Sequence, residues 1–346
     1  MRRVITSLVL ILLCLNGFGQ QSEKRLDFNY EGIKLSGVLN LPTDSQPKGI
    51  ILIVHGDGPT DAVAGQWWGD VRQAILQAGY ATYMWDKMGC GESDGQYEPG
   101  RPVHDEAREV MAAIRQLKTT QVKGSQTIGL WGISRAGWIN PLVIDSLKTI
   151  DFWISVSGVD DDETFEYLLK ENLRLAGYEK DTIRLLLNEW QQGLSLSRNG
   201  AGYEEYLAKT VNLQSNPFWQ KITNGGIQEE SYYAYQNTLQ NAIFDPETGL
   251  PLYVKDFDSL LADIHIPVLA LFGENDRHVD WQTTRTFYQK AMKDNSALTI
   301  KTFKNCNHNM WRAQTGSVYE FEDEDWQYTR CEGFLSTMTT WLTSLN

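Results

Sequence analysis

The sequence is poor in positive charge. Its 346 residues include 31 lysines and arginines against 44 aspartates and glutamates, which gives a formal net charge of −13. Nucleic acids and anionic membrane surfaces are bound through basic patches, so this balance argues against both classes of partner. We therefore expect no nucleic-acid ligand.

Cysteine and histidine are also scarce, with four and five residues respectively. The sequence has no C-x-x-C pair and no cluster of His and Cys at metal-ligand spacing, so we expect no metal and no other cofactor. Beyond Cys14 the cysteines are Cys90, Cys306 and Cys331. An odd number leaves at least one unpaired in an oxidising compartment. A Cys306–Cys331 disulfide and three buried thiols are both compatible with the sequence.

Long hydrophobic runs are missing except at the N-terminus. There, residues 4–15 are almost all apolar, and they follow a basic start at residues 1–3. The run is shorter than the roughly 18–20 residues that a membrane span needs. Small residues within 17–19 suit a signal peptidase, so we predict a cleaved secretory signal over residues 1–19 and no membrane span.

Cys14 lies inside this segment and raises lipid anchoring as an alternative. Leu13 stands where a small residue should precede a lipidated cysteine, which disfavours that interpretation. We therefore expect a secreted or periplasmic protein whose mature chain begins near Gln20.

Predicted strands and helices alternate through residues 20–157. The β-branched run at residues 49–54 is typical of a strand buried on both faces. Alternation of this kind implies a parallel sheet covered on both faces, which an antiparallel pair at 26–30 and 35–41 would open. The other predicted elements are strands at 80–85, 126–131 and 152–157 and helices at 67–78 and 103–118.

This alternation stops at residues 158–257, which are rich in helix formers and aromatic residues. We predict helices at 164–175, 181–194 and 231–241, forming either a packed subdomain or a lid over a site. The alternation resumes in residues 258–346, with strands at 267–272 and 298–303 and helices at 281–293 and 326–345. The sequence therefore predicts one core in two parts, interrupted by a helical insertion.

A serine lies on a predicted strand-to-helix turn, in the stretch Gly132-Ile133-Ser134-Arg135-Ala136. Such a turn lifts the hydroxyl above the sheet and places the next backbone N–H beside it, provided that the neighbours are small. The usual pattern is G-x-S-x-G, and Ala136 replaces its last glycine. An ordinary strand–loop–helix junction is the alternative to a nucleophile.

A nucleophilic serine needs a base and an acid that orients it. His308 follows the last predicted strand and is the best base among the five histidines. Asp276 follows the preceding strand at the same end of the sheet and is the predicted acid. Weaker candidates for the acid are Glu274, Asp280 and the run 160–162. The order Ser134, Asp276, His308 is that of α/β-hydrolases.

An oxyanion hole needs two N–H donors. We predict one from Arg135, next to the nucleophile, and one from the loop at residues 55–58, with Asp57 as the donor. Glycines flank Asp57 and would let this backbone approach a substrate closely.

These stretches carry a family resemblance. Residues 55–59 are similar to an H-G-S-G-P oxyanion loop, with Asp57 replacing serine, and residues 86–93 resemble a D-x-R-G-x-G-x-S segment, with Met88 replacing arginine. Residues 273–279 resemble the acid loop of the same proteins. The chain thus resembles an α/β-hydrolase of the esterase and serine-aminopeptidase-like group. The resemblance implies a mostly parallel eight-stranded sheet with helices on both faces and an inserted helical cap.

The combined interpretation is a serine hydrolase that cleaves a carboxylic ester in a small-molecule acyl substrate, through an acyl-enzyme on Ser134. A serine aminopeptidase-like peptidase is the main alternative, and thioesterase or lactonase activity would use the same groups. A binding protein on an inactive hydrolase fold is the alternative from another class. The complete set Ser134, Asp276 and His308 argues against it.

Overall fold

The computed structural model describes residues 22–43, 46–161, 165–240, 242–246, 249–322 and 326–345. The predicted signal at 1–19 and Cys14 lie outside these ranges. No helix within them is long and apolar enough to cross a membrane.

Eight strands form one sheet in the order β1-β4-β6-β5-β7-β8-β11-β12. The six strands from β6 to β12 in that order are parallel, while β4 is antiparallel to both β1 and β6. The strands of the sheet are β1 (Ser22–Arg25), β4 (Gly37–Leu41), β5 (Ile50–Val54), β6 (Ala81–Trp85), β7 (Ile128–Ile133), β8 (Phe152–Val156), β11 (Val268–Gly273) and β12 (Leu298–Phe303).

Helices cover both faces of this sheet. On one face lie α2 (Val103–Thr119), α3 (Ala136–Leu147), α10 (Phe257–Ala262) and α11 (Trp281–Ala291), and on the other lie α1 (Gly69–Gln77) and α12 (Phe334–Ser344). Strand β5 shows why both faces need cover, because its apolar side chains alternate between two hydrophobic cores, one on each face of the sheet. Ile50, Leu52 and Val54 enter one core, while Ile51 and Ile53 enter the other. The predicted fold class is confirmed.

The described residues between β8 and α10 form further helices and a short pair of strands. Their helices are α4 (Phe165–Leu175), α5 (Lys180–Arg198), α6 (Tyr203–Lys209), α7 (Val211–Ser215), α8 (Pro217–Ile222) and α9 (Glu229–Leu239). A short pair, β9 (Ile243–Phe244) and β10 (Pro251–Leu252), follows. The helices have a hydrophobic core of their own, which includes Leu169, Leu186 and Phe218. This segment is called the insert below.

Two predicted elements differ from the structure. The opening pair at 26–30 and 35–41 is replaced by β1 with β4, while a separate hairpin joins β2 (Phe28–Tyr30) to β3 (Ile33–Leu35). The last helix begins at Phe334, not at residue 326, because Arg330 bridges to Trp311 and Gly333 has a left-handed φ of 82°. Cys306 and Cys331 form a disulfide in this region, and Cys90 is unpaired.

Candidate active site

Ser134 occupies a strained turn between β7 and α3. Its φ of 55° lies in the left-handed region that side-chain-bearing residues rarely adopt. The Ser134 N–H donates to the Val156 carbonyl at 3.0 Å, and the Ser134 carbonyl accepts from the Gly137 N–H at 2.7 Å. The turn is therefore held from the neighbouring strand β8 and from the first turn of α3.

The neighbours of Ser134 explain how the turn fits. A Cβ atom added at Gly132 would lie 2.5 Å from Asn140 Nδ2 and 2.6 Å from the Ala136 methyl carbon. Position 132 therefore requires glycine, and the bare Cα there leaves space for the Ala136 methyl group. The departure from G-x-S-x-G at Ala136 is accommodated without distortion of the turn.

Asp276 and His308 lie at the same edge of the sheet as Ser134, because β7, β11 and β12 run parallel. His308 Nδ1 is 2.8 Å from Asp276 Oδ2. The other oxygen, Asp276 Oδ1, accepts hydrogen bonds from the backbone N–H groups of His278 at 2.8 Å and Val279 at 3.0 Å. The carboxylate is thus fixed with one oxygen turned to the imidazole.

The environment of Asp276 keeps this carboxyl group ionised. Burial by itself raises the pKa of Asp276, but His308 and the hydrogen bonds that the carboxylate accepts outweigh burial and leave the pKa below its usual range. An ionised, immobile carboxylate can orient an imidazole and stabilise the imidazolium that forms when it accepts a proton.

The His308 loop is anchored by residues that the sequence analysis did not single out. The Ser157 hydroxyl donates to the His308 carbonyl at 2.7 Å, and Arg330 donates to the Asn309 carbonyl at 2.5 Å. The Arg330 guanidinium lies 4.3 Å from the ring centroid of Trp68 and 3.6 Å from that of Trp311. Ser157 could have been noticed because it ends a predicted strand at this edge, whereas nothing in the sequence pattern marks Arg330.

His278 is close to the site but has a different environment from His308. Its ring stacks on the His308 ring, with centroids 4.8 Å apart and an interplanar angle of 9°. Burial, with a smaller contribution from His308, lowers the pKa of His278 to about 4. His278 is therefore neutral at pH 7, and its contact with Asp276 is through its backbone.

His55, which precedes the glycine loop, is also buried and neutral. Its Nε2 lies 2.6 Å from the Trp85 carbonyl. Burial, followed by the charge of Lys87, lowers the pKa of His55 to about 3. Of the two remaining histidines, His104 lies at the start of α2 and His265 precedes β11, and both are exposed.

The weaker acid candidates contact other partners. Glu274 accepts from the Thr302 hydroxyl at 2.9 Å, and Asp280 caps α11 by accepting from the N–H groups of its first turn. Asp160 is 4% exposed and accepts from the Thr284 hydroxyl at 3.1 Å. Asp162 lies outside the described residues.

The loop at residues 55–58 packs against the serine turn. A Cβ atom at Gly56 would lie 3.3 Å from the Ile133 carbonyl and 3.5 Å from Ser134 Cβ. Among the residues that the structure describes, no group accepts a hydrogen bond from the Asp57 N–H. Arg135 is the N-cap residue of α3, and its side chain is buried in an ion pair with Glu106, with Nε to Oε2 at 2.7 Å. The two predicted oxyanion donors thus lie on two segments that flank Ser134.

Within the described ranges, no group of three or more His, Cys, Asp or Glu side chains could hold a metal ion.

We expect the melting temperature to fall as pH is lowered from 7 to 5. Histidines in an unfolded chain ordinarily protonate near pH 6.5, whereas His55 and His278 stay neutral down to about pH 3 and 4. The unfolded state then binds more protons, so the free energy of unfolding rises with pH over this window. Thermal melts at pH 5, 6 and 7 measure the effect.

His278→Gln should weaken the dependence of the melting temperature on pH, because it removes one of the two histidines whose pKa is lowered. His104→Gln, at an exposed position, should leave this dependence as it is in the wild type. A wild-type melting temperature that does not change between pH 5 and 7 would contradict the buried, neutral state of both rings.

The chain is similar to known proteins in sequence and in fold. Residues 31–308 match the family model of the X-Pro dipeptidyl-peptidase (S15 family). No curated protein matches the chain. An esterase structure from Pyrococcus furiosus is similar with a TM-score of 0.56 and 14% identity, covering 93% of this chain and 90% of the other.

Two further solved structures show the same fold. Proline iminopeptidase from Mycobacterium smegmatis aligns with a TM-score of 0.53 and 14% identity, covering 92% of this chain and 97% of the other. A predicted CIB-like hydrolase from Thermoplasma acidophilum aligns with a TM-score of 0.51 and 12% identity, covering 94% and 100%. The resemblance to α/β-hydrolases is confirmed, and the chain belongs to the S15 family of X-Pro dipeptidyl-peptidases within that superfamily.

Proposed function

We propose that the protein is a serine hydrolase that cleaves a carboxylic ester through an acyl-enzyme on Ser134. The observation that carries this proposal is the 2.8 Å contact between His308 Nδ1 and Asp276 Oδ2, at the sheet edge where the serine turn lies. Asp276 is ionised and buried, so it favours the tautomer of His308 in which Nε2 is free to accept a proton.

The reaction would run in two halves. The Ser134 hydroxyl attacks the ester carbonyl carbon while His308 Nε2 takes its proton, and the carbonyl oxygen becomes an oxyanion that accepts from the Arg135 and Asp57 N–H groups. Collapse expels the alcohol, which takes the proton from His308. A water molecule, deprotonated by His308, then attacks the acyl-enzyme and releases the acid and Ser134.

An ester suits these groups better than a peptide does. An alkoxide or phenoxide leaves more readily than an amine and needs less protonation. An aminopeptidase must also bind the substrate's ammonium group with carboxylates, and the acidic residues after β8 would have to supply them. Asp160 is buried against Thr284, and Glu166 accepts from the Gln191 side chain at 3.2 Å. Asp162 and Glu163 lie outside the described residues.

A peptidase is the second candidate, and the match to the X-Pro dipeptidyl-peptidase family favours it. Release of N-terminal residues would use the same nucleophile, base and acid. What would differ is the leaving group, an amine that must receive a proton from His308 before it departs.

Short-chain nitrophenyl esters should be cleaved with a higher kcat/KM than aminoacyl nitroanilides. The direct measurement compares short-chain nitrophenyl esters with aminoacyl nitroanilides, including an X-Pro nitroanilide, on one enzyme preparation. Ser134→Ala serves as the control for background hydrolysis of the esters. Anilide values that equal or exceed the ester values would replace the ester proposal with the peptidase.

The insert is proposed to act as a cap that selects substrates. Its first helix contacts the acid loop: the Tyr167 hydroxyl donates to the Asp276 carbonyl at 3.1 Å, and Asn172 Nδ2 donates to the Arg277 carbonyl at 3.1 Å. The Asn172 side-chain oxygen accepts from the Val318 N–H at 2.9 Å. These contacts support a position for α4 beside the proposed triad.

Secretion is the proposed localisation. The basic and apolar residues 1–19 have the pattern of a cleaved signal. The Cys306–Cys331 disulfide supports an oxidising compartment, since such bonds persist mainly outside the cytosol.

A further inference from the structure

Lys87 is a buried cation beside the proposed oxyanion loop, at a position to which the family resemblance assigns no role. It follows β6 and is 8% exposed. Its Nζ donates to the Gly56 carbonyl at 2.7 Å and to the Gly58 carbonyl at 2.9 Å. One ammonium group therefore binds the carbonyls on both sides of Asp57.

These two hydrogen bonds set the direction of the Asp57 N–H. The Gly56–Asp57 peptide is trans and planar, so its C=O and N–H point in opposite directions. With the Gly56 carbonyl held on Lys87, the Asp57 N–H must point away from Lys87. The neighbouring Gly58 has a φ of 84°, in the left-handed region, and its carbonyl is held on the same ammonium group. The loop cannot rotate this peptide without losing a charge-assisted hydrogen bond.

Charge adds a second reason for a cation at this position. The family resemblance places serine where this chain has Asp57, and a carboxylate beside a developing oxyanion raises its free energy. The Asp57 carboxylate interacts electrostatically with both Lys87 and Arg135. Arg135 is already paired with Glu106 at 2.7 Å, whereas the separation of Lys87 Nζ from Glu106 Oε1 is 4.0 Å. Glu106 therefore neutralises Arg135 more closely than it neutralises Lys87.

We propose that Lys87 is a positioning residue of the oxyanion hole, which fixes the Gly56–Asp57 peptide so that the Asp57 N–H meets the oxyanion, and which offsets the Asp57 charge. This inference rests on the proposed serine hydrolase function. A positioning role can be told apart from a purely structural role by kinetics. Because the Gly56–Asp57 peptide is aimed at the transition state, loss of its position should lower kcat and leave ground-state substrate binding nearly unchanged.

The test compares Lys87→Met, which keeps the length of the stem without donors, with Lys87→Arg. Loss of one oxyanion donor typically lowers kcat by about 100- to 1000-fold, so we expect a loss in this range for Lys87→Met with KM changed less than about threefold. Lys87→Arg should recover most of the rate, since a cavity of about 30 Å³ lined by Lys87, Tyr97 and Glu106 lies beside it. Met88→Leu, the neighbouring position, is the control for local packing.

A second readout uses phenylboronic acid, whose tetrahedral adduct on Ser134 places an oxygen in the hole. Its inhibition constant should rise in Lys87→Met by a factor similar to the loss of kcat/KM. The positioning role of Lys87 would be overturned if a folded Lys87→Met variant had a kcat within threefold of the wild-type value. It would also be overturned if the whole loss of kcat/KM came from a higher KM. If Lys87→Met does not fold, Lys87→Gln decides between the same two outcomes. An inactive wild type would instead overturn the proposed function.

Discussion

Ser134→Ala is expected to lower kcat for ester hydrolysis by about a thousandfold or more, because the hydroxyl supplies the covalent chemistry. Only the Oγ atom is lost, and the backbone bonds that hold the turn, from the Ser134 N–H to Val156 and from Gly137 to the Ser134 carbonyl, do not involve the side chain. The variant should therefore fold as the wild type does. Steady-state kinetics and thermal melts on the purified variant measure both.

A fluorophosphonate probe provides an independent check, since it should label the wild type at Ser134 and leave Ser134→Ala unlabelled. Ser155→Ala is the control: that serine is buried on the neighbouring strand β8, and its hydroxyl is 3.3 Å from the Tyr288 hydroxyl. It should keep the wild-type rate. Activity of Ser134→Ala near that of wild type would remove Ser134 from the mechanism, and a labelled wild type also excludes an inactive binding protein.

The parallel core could be predicted from sequence because its strands are buried on both faces. A strand such as Ile50–Val54 is then apolar throughout, and this continuous pattern stands out from amphipathic helices on either side. Strand β12 was predicted at its observed bounds, Leu298–Phe303. The two-part core around a helical segment followed from the same alternation.

The edge of the sheet and the last helix could not be predicted in the same way. Strand β1, with exposed side chains at Glu23 to Arg25, has no apolar pattern, and it pairs with β4 through the backbone register and a hydrogen bond from Asn40 Nδ2 to the Glu23 carboxylate at 3.0 Å. Residues 326–333 have helical composition in part, but the bridge from Arg330 to Trp311 and the Cys331 disulfide hold them out of the helix. Tertiary contacts outweigh local propensity at both places.

Candidate site residues were predictable because each follows a strand of a parallel sheet, and such strands end at one edge. The sequence does not show which neighbouring residues hold these side chains in place. His278 and His308 differ in which group faces Asp276, the backbone N–H of His278 or the ring Nδ1 of His308, and this depends on the folded loops. The contact of Lys87 with the glycine loop joins segments 31 positions apart and has no sequence signal.

Asp276→Asn should lower kcat by about 10⁴-fold while the protein stays folded. Asp276 Oδ1 accepts from two backbone N–H groups, so asparagine must keep its carbonyl oxygen there and turn its Nδ2 towards His308. The amide then donates to Nδ1, where the carboxylate had accepted. His308 would carry its proton on Nε2, the nitrogen that has to receive the proton of Ser134, and could no longer act as the base.

Matched carboxyl variants separate this effect from a general change of charge. Asp280→Asn keeps a good helix cap on α11, and Glu274→Gln keeps an acceptor for Thr302, so both should retain rates within about threefold of wild type. Kinetics with one nitrophenyl ester compare the three variants directly. One outcome would contradict this prediction: Asp276→Asn keeps more than a tenth of the wild-type rate while Asp280→Asn or Glu274→Gln falls below a tenth. The carboxylate that orients His308 would then belong to the residue whose variant lost the rate. The hydrogen bond between Asp276 and His308 would then be structural, because a tautomer fixed in the wrong form cannot support that rate.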